Sequence, residues 1–370
     1  MSVRTTQTGE RGDYSGENVS GKSGEAWHTQ QVGDPKDTRI GIEATGGSTA
    51  VLNTGGNRYR VHTFDATSTL NVSSVGGSLY PSDITYFCIG GGGGGGNGTG
   101  GGGGAGGYVT NLPGNPYAPV GVTATMTVGN HVITVGAGGA GANSPYDGVH
   151  GTHSKIGSSA TTEFIVASGG GRGRGHSGSF PPGGYGGSGG GGGRGGSPYQ
   201  GITPGEDTGS RWTPDAPAYT APDNDPIGYK QGEDGGNGGA NNAGSPATHC
   251  GGGGGGAGEV GGNGARPDNG STAAGGSGGS GLNMEITGSP VLYGGGGGGS
   301  ASNAPHSSGG TAGGGGPGGG GSGDGGATPG GSAGSTNLGA GGGGRALYEQ
   351  AWAGGSGKVI IRYLIAPSQS

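Results

Sequence analysis

The chain has 370 residues, 112 of them glycine, yet runs such as 90–96 and the 313–321 tract, broken only by Pro317, put glycine at successive positions and exclude the Gly-X-Y period of a collagen. Leu, Ile, Val and Phe together make up about 12% of the residues, below the roughly 20% that marks an ordinary core, so a conventional globular domain of this length is excluded. A net charge of -6 with 11% charged residues is too weak a charge for a typical disordered chain, and no apolar run of about 18 residues could span a bilayer.

In chain order, residues 1–56 are the most charged stretch and read as an attachment or connecting segment; the apolar stretch of a secretory signal is missing at the N-terminus. From residue 58 a β pattern sets in. Arg58-Tyr59-Arg60-Val61-His62-Thr63-Phe64 and Leu70-Asn71-Val72 alternate or cluster β formers, and Ile84-Thr85-Tyr86-Phe87-Cys88-Ile89 reads as a buried strand. Residues 124–128 and 131–135, separated by Gly129-Asn130, predict a hairpin on a two-residue primed turn. Strands over 162–166 and 358–365 follow, and 345–353 could supply one helical turn or two. A terminal strand that pairs with strands some 200 residues earlier makes 169–357 a glycine-rich insertion within one β domain, 57–370.

Three strand-like segments run directly into glycine: Ile89 into 90–96, Cys250 into 251–256 and Tyr293 into 294–299. Glycine loses the most backbone freedom on ordering and brings no apolar surface in return, so such runs are either tethers or something packed through the backbone. The packed form is the threefold extended helix of polyglycine, with about 3.1 Å rise and every N–H and C=O directed outward to lateral neighbours. On that reading Gly90, Gly93, Gly96, Gly251, Gly254, Gly294 and Gly297 are scaffold positions. Cys88 and Cys250 each stand at the mouth of a run; a disulfide between them is one option and two buried free thiols the other.

One interval in the insertion differs. Over 199–234 glycine almost vanishes and aromatic, carboxylate and proline residues replace it, which marks a long exposed loop, either a functional one or an ordinary surface loop. Rings that stack on sugars and polar groups that bind hydroxyls make Tyr199, Arg211, Trp212, Asp215, Tyr219, Asp223, Asp225 and Tyr229 the receptor or glycan-binding candidates. Asp223-Asn224-Asp225 lacks the spacing of an EF-hand, and His150 and His153 lack a third ligand, so no metal and no cofactor is expected. No nucleophile and base share a motif, which argues against an enzyme. Arg172, Arg174 and Arg194 are too few in an acidic chain to predict nucleic-acid binding.

His62-Thr63-Phe64, the junction of 84–89 with 90–96, the stretch 132–139, Ser168-Gly169-Gly170-Gly171, the block 294–299 and the closing stretch 354–363 together resemble a family of glycine-rich domains frequent in bacteriophage tail fibres and other virion appendages. The resemblance spans 58–365. It implies an all-β fold: a jelly-roll-like β-sandwich with a large inserted bundle of polyglycine II helices and long loops, similar to the glycine-rich part of some receptor tyrosine kinase ectodomains and to the polyglycine layers of phage tail-tip adhesins. It further implies a virion structural protein, assembled in the host cytoplasm and then extracellular, that presents loops for host attachment; a capsid fibre without receptor binding is the alternative, and an ice-binding or matrix protein a remote one. Expected partners are other virion proteins through 1–56, a host-surface glycan or protein, and further copies of the chain as a homo-oligomer, foremost a trimer, or a multi-protein appendage, with neither nucleic acid nor membrane insertion.

Overall fold

The computed structural model describes residues 41–75, 82–116, 124–143, 147–157, 163–176, 184, 186–194, 231–241, 248–265, 272–303, 310–326, 330–347 and 349–367. The fold is all-β, with no helix among these residues. Its strands are β1 (Glu43–Thr45), β2 (Ser48–Thr54), β3 (Asn57–Phe64), β4 (Ser68–Ser74), β5 (Asp83–Ile89), β6 (Tyr108–Thr110), β7 (Ala124–Thr125), β8 (Gly129–Thr134), β9 (Ser154–Gly157), β10 (Glu163–Ala167), β11 (Gly239–Asn241), β12 (Thr248–Cys250), β13 (Leu282–Met284), β14 (Val291–Tyr293), β15 (Ala301–Ser302) and β16 (Lys358–Pro367).

Two antiparallel sheets carry the sandwich: a five-stranded sheet ordered β1-β4-β8-β9-β10, and a larger one ordered β2-β3-β16-β5-β6 with β7 on β5. Strand period explains why both form around the same residues. Tyr86 and Cys88 of β5, with Val359, Ile361 and Tyr363 of β16, face Leu70, Val72, Ile133 and Ile156 of the opposite sheet. The alternate residues Phe87, Ile89 and Ile360 face outward onto a second core made by the β13–β14 hairpin, with Met284, Ile286 and Tyr293. β5 and β16 are thus apolar on both faces, which is why they read as continuous hydrophobic runs rather than alternating ones. β16 lies between β3 and β5, with Ile361 opposite His62 on one side and Tyr86 on the other.

Two expectations from the sequence are corrected. Residues up to 56 are not all connecting segment, since Ser48–Thr54 forms β2 and turns through Gly55-Gly56, both at positive φ, into β3. That pair meets the requirement of a primed two-residue turn, whereas Ser, Thr and Asn dilute the apolar signal of β2 itself. The predicted 124–135 hairpin also does not form. β7 pairs with β5 in the larger sheet, while Gly129 and Asn130 lie inside β8 and pair with Val72 and Asn71 of β4 in the other. The chain crosses between the sheets at Met126, which is buried in the sandwich core and donates to Ser82, so the Gly-Asn pair serves as strand rather than turn.

Beyond β5 the backbone itself becomes the packing surface. Gly90, Gly93 and Gly96 donate to Gly107, Gly104 and Gly101; Gly91 and Gly94 donate to Thr152 and Val149; Gly92 and Gly95 donate to Gly355 and Trp352. In each phase the partner number falls by three, so these three neighbours run antiparallel to 90–96. The carbonyls of the same run accept from Gly139 and Ala142, from Gly170 and Gly173, and from Gly342 and Arg345, three parallel neighbours. The second run repeats the scheme: Gly251, Gly254 and Ala257 donate to Ser300, Gly297 and Gly294, Gly252 and Gly255 to Gly192 and Gly189, and Gly253 and Gly256 to Gly262 and Glu259. Gly294 and Gly297 donate in turn to Leu338 and Gly103.

Such approach leaves no room for side chains. A Cβ at Gly90, Gly93, Gly96, Gly251, Gly254 or Gly297 would fall within 3.0 Å of a backbone carbonyl of Ser168, Gly171, Arg174, Gly100, Gly103 or Gly342 respectively. Each glycine gains a hydrogen bond worth a net of about 1 kcal/mol, against an ordering cost of about 1–2 kcal/mol per residue. A run with one neighbour therefore does not hold; it needs its full set of neighbours and the sandwich that anchors its ends.

Candidate functional site

Hydrogen-bond levels divide the bundle into two ends. Beside the sandwich lie Gly90 with Gly107, Tyr108 with Gln231, Ala257 with Gly294 and Gly357 with Gly136. At the other end lie Gly96 with Gly101 and Arg345, Thr99 with Arg194, Asn97 with His176, Gly100 with Ser300 and Ala301 with Asp324. The chain reaches this far end repeatedly, because each glycine segment that leaves the sandwich must return antiparallel beside it.

The first reversal there is Asn97-Gly98-Thr99, in which Gly98 and Thr99 have φ of 64° and 67°. A threonine in the left-handed region carries strain of about 1–3 kcal/mol and persists only where its surroundings over-determine it. Segment 345–349 supplies that: Gly98 donates to Leu347, Thr99 to Arg345, and the Asn97 amide Nδ2 donates to the Glu349 carbonyl at 3.2 Å. Asn97 and Thr99 are both buried.

Arg345 locks the same corner. Its guanidinium pairs with Glu349, lies 3.7 Å from Asp324 Oδ2 and stacks 5.1 Å from the centre of the Trp352 ring. Asp324 is 1% exposed, and its Oδ1 accepts from the Gly326 amide. Burial pushes its carboxyl above the usual range, partly offset by the Gly326 hydrogen bond and by Arg345. An uncompensated buried charge here would be strongly destabilising, so Arg345 and Asp324 are mutually required. Residues 345–347 and 349–353 accordingly form an ion-paired cap; the helical turn expected over 345–353 is absent from the described residues. The sequence does carry a signal for it, a lone Asp324 and a lone Arg345 each bordering glycine tracts.

A side wall of the bundle carries Arg172 and Arg174, both paired with Asp147, while His153 Nδ1 accepts from the Gly169 amide at 3.0 Å. No group of three or more metal-ligating side chains occurs among the described residues, and no helix there is long and apolar enough to cross a membrane. Cys88 and Cys250 are both buried, lie in separate clusters and are not bridged to each other, the second of the two options. Burial in apolar surroundings raises the Cys88 thiol and keeps it protonated.

The loop candidates Tyr199, Arg211, Trp212, Asp215, Tyr219, Asp223, Asp225 and Tyr229 lie outside the described residues, as does 1–40. The flanks of that interval are described. Arg194 donates to Thr99 at the far end, whereas Gln231 sits beside the sandwich, where its side chain takes the Ser168 amide and donates to Val166 of β10. Glu233 donates to Gly256, so 231–234 belongs to the bundle and the glycine-poor loop ends earlier than expected.

A family model described as a glycine-rich domain matches residues 72–364, which takes in the bundle and the strands of the sandwich from the end of β4 onward. The chain belongs to the glycine-rich domain family. No curated protein matches it. The matched span begins in β4 and ends in β16, so the family unit contains the returning strand that closes the insertion.

Proposed function

We propose that this glycine-rich domain protein is a structural component of a bacteriophage virion appendage, a tail fibre or tail-tip protein, that holds loops out for attachment to a host-surface glycan. In this reading the glycine runs are threefold polyglycine II helices, and the period-three lateral bonding of 90–96 supports that assignment. The observation that carries the functional reading is the two-ended bundle. Its far end is stiffened by the Arg345–Asp324–Glu349 pairing and collects chain reversals away from the sandwich. A rigid scaffold that gathers loops on one face suits recognition, because the ordering cost of the binding groups falls on the scaffold in advance.

The aromatic and acidic interval ending at residue 230 would then be the recognition element, with Trp212 and Tyr219 stacking on sugar faces and Asp215, Asp223 and Asp225 binding hydroxyls. Because its flanks Arg194 and Gln231 sit at opposite ends of the bundle, a short bridge cannot replace it. Virions carrying a Gly/Ser linker of equal length in place of 199–230 should assemble normally and adsorb at least about tenfold more slowly, a loss of one to two stacking contacts. Unchanged adsorption would remove the recognition role. Residues 1–40 would be the anchor: a chain starting at residue 41 should fold but stay off the particle.

A further inference from the structure

Independently of the functional reading, the sheet edges point to a partner. Exposed strand edges template pairing with other chains, and proteins ordinarily guard them with short strands, bulges, charges or a covering segment. Three of the four edges of the two main sheets are guarded. β1 has three residues, one of them Glu43, and a register shift between Glu43 and Ala44. β10 has a register shift between Glu163 and Ile165, and its Val166 carbonyl accepts from Gln231. β6 is three residues long and buried, and its Tyr108 amide donates to Gln231.

Among the described residues, β2 has none of these devices. It runs seven residues, Ser48-Thr49-Ala50-Val51-Leu52-Asn53-Thr54, without charge or proline, and pairs in unbroken register with β3 alone among the described residues. Every residue but Leu52 is exposed, with Val51 at 44%.

We infer that β2 pairs antiparallel with β2 of a second copy of this chain, about a two-fold axis at Val51. The segment is chemically self-complementary about that point: Ser48 falls opposite Thr54, Thr49 opposite Asn53, Ala50 opposite Leu52, and Val51 opposite its own copy. Polar residues meet polar ones and apolar residues meet apolar ones, the arrangement that stabilises cross-strand pairs. An isologous contact requires this self-complementarity, and it joins the two larger sheets into one continuous sheet. The contact is two-fold, unlike the trimer expected from the resemblance.

The test is the solution mass of the full chain with charge placed on the axis. Wild type should have twice the chain's 34.6 kDa. Val51→Lys and Val51→Glu should each halve that mass while the chain keeps the wild type's far-UV circular dichroism spectrum, because like charges then stand directly opposite, and an equimolar mixture of the two should return to the dimer. A wild type that stays monomeric up to its solubility limit, a mass of any kind that Val51→Lys leaves unchanged, or a mixture that fails to reassociate would overturn the pairing. So would a monomer that dimerises only after removal of 1–40, which would show that the chain's own N-terminal segment covers the edge.

Discussion

The sandwich and the glycine bundle are built from the same chain on opposite principles. In the sandwich, side chains decide everything: Tyr86 and Cys88 face one core, Phe87 and Ile89 the other, and a one-residue slip of β5 would exchange the two sets. In the bundle the absence of side chains decides everything, because a Cβ at any position of 90–96 would fall within 2.2 Å of a neighbouring backbone carbonyl oxygen. The difference shows where specificity resides. A glycine run has no register of its own, so the strands at its ends, β5 before 90–96 and β6 after 100–107, set which carbonyl each amide meets.

The sharpest way to break this contrast is to add one methyl group to the bundle. Gly93→Ala forces a Cβ into the Gly171 carbonyl, backbone that cannot yield without moving the run and its neighbours. The expected loss exceeds about 4 kcal/mol, or folding fails outright, measured by chemical unfolding. On the sandwich side the opposite change is the costly one. Phe87 is fully buried and packs 4.9 Å from the Tyr108 ring and 4.7 Å from Tyr293, so Phe87→Ala should lose about 3–5 kcal/mol by emptying that space.

A smaller effect separates the regions by pH. His62 lies fully buried in β3, with Nδ1 2.7 Å from the Gly46 carbonyl and Nε2 2.9 Å from the Tyr363 hydroxyl. Burial lowers its pKa below the ordinary 6.5, against the opposing Gly46 hydrogen bond. The folded state therefore binds this proton less readily than the unfolded chain, so the stabilisation is present above pH 6.5 and is lost as pH falls below it. Thermal melting from neutral to mildly acid pH should fall less steeply in His62→Gln than in wild type. Smallest of all is Gly314→Ala. Gly314 is exposed, and a Cβ there meets nothing within 4 Å, so the change should be neutral or stabilise by about 0.4–1 kcal/mol through the unfolded state. A Gly314→Ala as damaging as Gly93→Ala would mean that glycine matters here for flexibility rather than close contact.

What could be read from the sequence follows the same divide. Ile84–Ile89 and the closing strand announce themselves because both faces are apolar, and the three strand-into-glycine junctions mark the start of the bundle. β2 hides among Ser, Thr and Asn, and the 124–135 hairpin misleads because Gly129-Asn130 satisfies a turn and a strand equally well until a partner is chosen. The partners of the runs are illegible for a physical reason: successive glycines are identical, so nothing in 90–96 says that its amides meet residues as distant as Gly355. The far-end cap was legible only as isolated charges, Asp324 and Arg345, whose meeting depends on that same unreadable register.

Amide hydrogen exchange at 90–96 decides whether the glycine runs are packed backbone or tethers. Each of these seven amides donates to a carbonyl on a neighbouring segment. All seven should be protected to the same degree as the β5 amides they follow, since run and sheet open together. Exchange at the rate of an unstructured glycine peptide, with β5 still protected, would contradict packing.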